Sequence, residues 1–96
     1  RKDGMMVAQS ESPFFHSSVI QKMVGVLREV FPIVKIYLAS IPTYPSGLWS
    51  FAFCSKQYDP LLHFHPGELD FQTRYYNAEV HRSAFALPNF IKEWMK

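Results

Sequence analysis

Apolar positions change their period several times along this chain, and each change marks an element. Met5 to Ala8 is a short unbroken apolar run, which predicts a strand buried on both faces of a parallel sheet. Polar Gln9-Ser10-Glu11 follows abruptly, so these side chains are expected at the carboxyl end of that strand, the usual ligand side of an α/β sheet. Ser12-Pro13 reads as a helix start, with a hydroxyl to cap and Pro where its missing N–H costs nothing. Val19, Ile20, Met23, Val24, Leu27, Val30 and Phe31 then recur at three- and four-residue spacing, the stripe of a helix on a sheet, and Pro32 ends it. Ile33 to Ile41 is rich in β-branched and aromatic residues with no helical period, a strand. Leu48 to Ser55 alternates strictly, with Trp49, Phe51 and Phe53 on one face and Leu48, Ser50, Ala52 and Cys54 on the other.

Between the last two runs lies Pro42-Thr43-Tyr44-Pro45-Ser46-Gly47, a short connection that predicts an antiparallel pair. Its prolines fix φ and Gly47 can take φ > 0, so the connection is expected to be stiff and to present Tyr44 at a strand end. The first two strands with the helix between them predict a right-handed crossover within one sheet. Lys56 to Gly67 reads as loop, broken by Asp59-Pro60 and His65-Pro66-Gly67, and Glu68 to Asn77 as a short helix or an extended arm. Two apolar clusters close the chain: Val80, Phe85 and Leu87, then Phe90, Ile91, Trp94 and Met95, the second at helical spacing and opened by Pro88-Asn89. At the other end, Arg1-Lys2-Asp3-Gly4 resembles the close of a helix turning into a strand, so a helix is expected upstream.

Composition narrows the function. At 96 residues the chain is one domain at most, and an aromatic share of 17% implies either an unusually aromatic core or surface covered by something else. The net charge is +2 and the basic residues are scattered, which argues against nucleic-acid binding. No run approaches the roughly 20 apolar residues that span a bilayer, and no signal-peptide core is present, so a cytoplasmic protein is expected. Cys54 has no partner for an internal disulfide and reads as a packing residue in a reducing compartment. His63 and His65 would share a face if extended, but without a third ligand they read as loop histidines, and no metal site is expected.

Three separated motifs then carry a resemblance. Ile41-Pro-Thr-Tyr-Pro-Ser-Gly-Leu-Trp49, Tyr75-Tyr-Asn-Ala-Glu-Val-His81 and Ala84-Phe-Ala-Leu-Pro88, with Gln9-Ser-Glu-Ser12 upstream, resemble the C-terminal half of the spermidine synthase (polyamine aminopropyltransferase) family. The resemblance covers essentially residues 1–96, read as one C-terminal portion of a catalytic domain. It implies an α/β fold, the C-terminal part of a doubly wound, methyltransferase-like (Rossmann-type) sheet whose last strand runs antiparallel between its neighbours. It implies transfer of an aminopropyl group from decarboxylated S-adenosylmethionine, a co-substrate and not a cofactor, to putrescine. Tyr44 matches the family tyrosine that helps hold the amine, and Gln9 a polar residue near the reacting groups. Trp49 has two readings, lining the amine channel or packing, and its alternating neighbours Phe51 and Phe53 favour packing.

The family's glycine-rich nucleoside loop and its paired aspartates have no counterpart here. The expected catalytic groups and donor site therefore lie on a missing N-terminal half or a companion chain, and these 96 residues are expected to be inactive alone. The resemblance also implies a homo-oligomer. The competing expectation is a small α/β interaction module that has lost the chemistry.

Overall fold

The computed structural model describes residues 1–65, 67 and 71–95. Its elements in order are β1 (Met5–Gln9), α1 (Ser17–Val30), β2 (Ile33–Ser40), β3 (Leu48–Ser55), α2 (Ala78–Ala84) and α3 (Asn89–Trp94). The strands form one three-stranded sheet in the order β1-β3-β2. Both outer strands pair antiparallel with β3, Met5 opposite Ser55 on one side and Ile33 opposite Ser55 on the other. The last strand therefore lies between two strands that are parallel to each other. The expected strand, helix and strand do join one sheet, but with β3 inserted between them.

β1 departs from the expectation of a strand buried on both faces of a parallel sheet. It is an edge strand with an antiparallel neighbour, and Met5, Met6 and Val7 are 59%, 39% and 52% exposed. Within the described residues only β3 pairs with it, so an apolar run composed for cover on both faces stands half open.

α1 covers one face of the sheet, the face of small residues on β3. Ile20 and Val24 bury against Val34 and Ile36 of β2 and Ala52 and Cys54 of β3, with Met23, Leu27 and Phe31 at the margin. The small Ala52 and Cys54 let the helix approach closely, and each fully buried Ile or Val contributes roughly 1.5–3 kcal/mol. Val19 and Val30, expected in the packed stripe, are instead 51% and 60% exposed, because the buried face is centred on Ile20 and Val24. The helix also begins later than Ser12-Pro13 suggests. Ser12 does cap, its Oγ accepting from the N–H groups of Phe14 and Phe15, but it caps a separate turn over 13–15. His16, at φ −129° and ψ 35°, breaks the spiral before α1 starts at Ser17.

α3 packs on the same side as α1. Ile91 is fully buried, Trp94 and Met95 lie against the core, and the Arg28 guanidinium donates to the Met95 carbonyl at 2.7 Å. On the opposite face Tyr37 stacks on Phe51 at 5.1 Å between ring centres, and Phe85 at the end of α2 reaches both Tyr37 and Phe53. Phe51 and Phe53 are thus only half-buried, so the large face of β3 is the less covered of the two. Of Glu68 to Asn77, residues 68–70 lie outside those described, and 71–77 enter neither helix nor strand. Pro66 likewise lies outside them.

Candidate functional site

At the carboxyl ends of β1 and β2 the chain gathers Gln9, Trp49 and Tyr44. Gln9 closes β1 and Trp49 is the second residue of β3, on the sheet face shared with Phe51. The Trp49 indole Nε1–H donates to Gln9 Oε1 at 3.2 Å. An indole nitrogen is only a donor, so this contact fixes which end of the Gln9 amide faces it. The oxygen keeps a second lone pair for another donor, and the NH₂ group points away. Tyr44 packs on the same indole, with ring centres 4.6 Å apart and planes at 60°. Trp49 is 8% exposed and Tyr44 38%, so a buried ring backs an accessible phenol. Among the described residues the Tyr44 hydroxyl has no hydrogen-bond partner, which leaves it free to meet a ligand.

The connection that carries Tyr44 is held by nested turns. Tyr44 N–H donates to the Ile41 carbonyl at 2.9 Å, Gly47 N–H to Tyr44 at 3.0 Å, and Ile41 N–H back across the base to Gly47 at 2.9 Å. Gly47 takes φ 72°, as its type allows, but Ser46 also sits at φ 69°, where a side chain is disfavoured. Ser46 is held there by its hydroxyl, which lies 2.8 Å from Ser12 Oγ and donates to the Leu48 carbonyl at 3.1 Å. The Ser12–Ser46 contact joins the segment after β1 to the segment before β3. Glu11, at φ 71°, is locked by Ser50, whose N–H and Oγ both donate to the Glu11 carbonyl at 3.0 and 2.8 Å. Both loops at this corner are therefore tied to β3, and Gln9 and Tyr44 are both held against Trp49.

Trp49 is buried as expected, but not as part of the Phe51–Phe53 packing: it is the middle member of the corner. The serine ties were not foreseen. Their only signal in sequence is the pairing of Ser12 before Pro13 with Ser46 after Pro45.

His81, the last residue of the Tyr75–His81 motif, is the centre of a second cluster. Its Nε2 lies 2.7 Å from the Pro60 carbonyl and its Nδ1 2.7 Å from the Tyr76 hydroxyl. A carbonyl can only accept, so Nε2 carries the proton and Nδ1 accepts from Tyr76. The ring stacks on Phe64 at 3.7 Å. Asn77 caps α2 by accepting from Val80 N–H at 2.8 Å. These contacts set Tyr75 and Tyr76 beside a cleft of about 450 Å³ with Tyr37, Phe53, Phe85 and Val7 on its walls. The cleft lies on the same sheet face as the corner but is lined by neither Gln9, Trp49 nor Tyr44.

His63 is engaged in a turn, its Nδ1 accepting from Asp59 N–H at 2.7 Å. Asp59 Oδ1 in turn accepts from Leu61 and Leu62, and its carboxylate meets Lys35 at 2.9 Å. Burial would raise the Asp59 carboxyl, but the bonds from Leu62, Lys35 and Leu61 outweigh it and hold it below the usual carboxylate range. Burial pushes the Cys54 thiol and the Tyr37 phenol up. Among the described residues no group of at least three His, Cys, Asp or Glu gathers as a metal site requires, and no helix is long and apolar enough to cross a membrane.

Comparison with known proteins places the chain in a family. The Spermine/spermidine synthase domain matches residues 1–65. The polyamine aminopropyltransferase of Caldicellulosiruptor bescii is 46% identical over 102 residues, covering 100% of this chain and 34% of its own length. That of Bacillus subtilis is 44% identical over 96 residues, covering 100% and 35%. The crystal structure of spermidine synthase from Thermotoga maritima superposes with a TM-score of 0.91 at 40% identity, covering 99% of this chain and 35% of that one. A spermidine synthase in complex with the transition state analogue AdoDATO gives the same TM-score and covers 33% of its chain. The chain thus spans about a third of the length of these relatives, and it belongs to the spermine/spermidine synthase family.

Proposed function

We propose that these residues form one wall of the amine-acceptor site of an aminopropyltransferase that makes spermidine from putrescine and decarboxylated S-adenosylmethionine. The observation that carries this reading is the Gln9–Trp49–Tyr44 corner, a pair of neutral polar groups held on an aromatic ring at the carboxyl ends of parallel strands. The solved relative bound to a transition state analogue supports the same reaction class.

In that reaction the lone pair of an unprotonated amine attacks the methylene carbon bonded to the sulfonium. The N–C bond forms, the C–S bond breaks with its electrons going to sulfur, and the amine nitrogen loses a proton. The products are spermidine and 5′-methylthioadenosine. The sulfonium is already a good leaving group, so the protein's tasks are positioning and proton removal. Tyr44 Oη and the open lone pair of Gln9 Oε1 accept from an amine N–H, while the indole edge excludes water. Both groups position the amine, and the proton acceptor and donor site belong to the rest of the parent enzyme. In this reading the sheet continues beyond β1 as a doubly wound, methyltransferase-like sheet, the donor is a co-substrate with no resident cofactor, and the parent is a cytoplasmic homo-oligomer.

Steady-state kinetics of the complete parent enzyme test the assignment. Tyr44→Phe is expected to raise the KM for putrescine several-fold while donor affinity, read by calorimetry, stays within twofold. Equal losses in both would remove Tyr44 from the amine site. Failure of the intact parent to form spermidine would favour the interaction module.

A further inference from the structure

Two serine hydroxyls bridge the loops of the Gln9–Trp49–Tyr44 corner, and only one direction of bonding satisfies them both. Ser12 is fully buried, and its Oγ accepts from the N–H groups of Phe14 and Phe15 at 3.2 and 3.3 Å. Ser46 Oγ lies 2.8 Å from Ser12 Oγ and 3.1 Å from the Leu48 carbonyl. Each hydroxyl has one proton to give, and a carbonyl oxygen only accepts. The Ser46 proton therefore goes to Leu48 and the Ser12 proton to Ser46. The reverse would leave the buried Ser12 proton without an acceptor among the described residues and set Ser46 Oγ against the Leu48 oxygen, lone pair to lone pair.

This chain of bonds joins the two segments that carry the corner's polar groups. Ser12 follows Gln9 by three residues, and Ser46 follows Tyr44 by two. The β1 side is anchored independently, because Ser50 N–H and Oγ both donate to the Glu11 carbonyl. The connection that carries Tyr44 is otherwise bonded to itself and to the strands it joins, with Ile41, Tyr44 and Gly47 closing its turns. Among the described residues, Ser12 is its one hydrogen-bond partner outside that hairpin. Ser46 also holds φ 69°, where a side chain is disfavoured, so the tie keeps the connection in a shape that it would not hold by preference.

We infer that Ser12 and Ser46 are positioning residues for the amine acceptor, acting through this one bond to set the separation of Gln9 and Tyr44. Their role rests on the reading of the corner as an amine site. An amine that donates to both Tyr44 Oη and Gln9 Oε1 needs the two acceptors at a fixed distance. Gln9 is held by Trp49 and by the β1 ladder, so the Tyr44 side is the one that shifts when the bond is lost.

A double-mutant cycle in the complete parent enzyme tests this, with steady-state kinetics for the amine and calorimetry for the aminopropyl donor. Ser12→Ala removes the hydroxyl that gives the proton, and Ser46→Gly removes the one that takes it and relaxes the disfavoured φ. Each is expected to raise the KM for putrescine roughly two- to tenfold, with donor affinity unchanged. The double variant should lose no more than the weaker single variant, since both remove the same bond. Ser12→Ala alters nothing within residues 42–47. Faster hydrogen exchange of the Tyr44 and Gly47 amides in that variant, by roughly two- to tenfold, therefore reads the coupling across the corner. Losses that multiply in the double variant, equal losses of amine and donor affinity, or unaltered exchange in Ser12→Ala overturn the assignment. An unchanged KM in both serine variants, while Tyr44→Phe raises it, overturns this assignment alone. An unchanged KM in Tyr44→Phe as well removes the amine-site reading with it.

Discussion

The Trp49 indole orders the corner through one donor and one ring face, and the two roles can be separated. Trp49→Phe keeps a ring under Tyr44 but removes the donor to Gln9, freeing that amide to turn. A hydrogen bond contributes roughly 0.5–1.5 kcal/mol, so in the complete enzyme the KM for the amine should rise roughly two- to tenfold with donor affinity unchanged. An unchanged KM would show that Gln9 needs no orienting. His81 offers a similar separation. His81→Phe keeps the stack on Phe64 but removes the bonds to Pro60 and Tyr76. The Tyr76 hydroxyl is exposed enough for water to replace its acceptor, so the expected loss in denaturant unfolding is that of an ordinary hydrogen bond, roughly 0.5–1.5 kcal/mol. These partners were not legible in the sequence, because His81 is separated from Pro60 by a loop and no local pattern joins them.

Among the elements, β3 best shows how far alternation carries an argument. The alternation assigned every residue to its face, and the structure keeps that assignment. What it could not say is which face the helix covers. Large aromatic side chains suggested that Phe51 and Phe53 are the packed ones, yet α1 settles on Ala52 and Cys54, where small side chains let backbones approach. Ala52→Leu should therefore cost about 1–3 kcal/mol by overpacking. Phe51→Ala, at a half-buried ring, should cost less than the 3–5 kcal/mol of a fully buried phenylalanine. Melting curves of the two variants check both faces, and a loss at Phe51 in the roughly 3–5 kcal/mol range of a fully buried ring, or no loss at Ala52→Leu, would contradict this packing. The start of α1 was misjudged for a related reason: Ser12-Pro13 is a sound cap, but the turn that it caps ends at His16. β1 was recognised as a strand from its apolar run, whereas its edge position depends on where a strand much later in the chain inserts.

For the whole molecule, the tie between Lys35 on β2 and Asp59 links the sheet to the loop that leads toward α2. The Asp59 carboxyl is held below its ordinary 3.8, so it binds its proton more weakly in the folded state than in the unfolded one. Its contribution to stability is fully present above that ordinary value and is lost as the pH falls through the lower, folded one. Unfolding experiments should show stability declining below about pH 4. Asp59→Asn should flatten part of that decline, and an unchanged acid profile would assign it to other carboxyls.

The central position of β3 also has a consequence in time. A ribosome delivers β1 and β2 before the strand that both of them pair with. Until Ser55 has cleared the exit tunnel, the nascent chain holds two apolar strands and a helix with no ladder to join them. The ladders of this sheet must then close from the middle strand outward, and a stop anywhere before Leu48 would leave β1 and β2 without the strand that joins them.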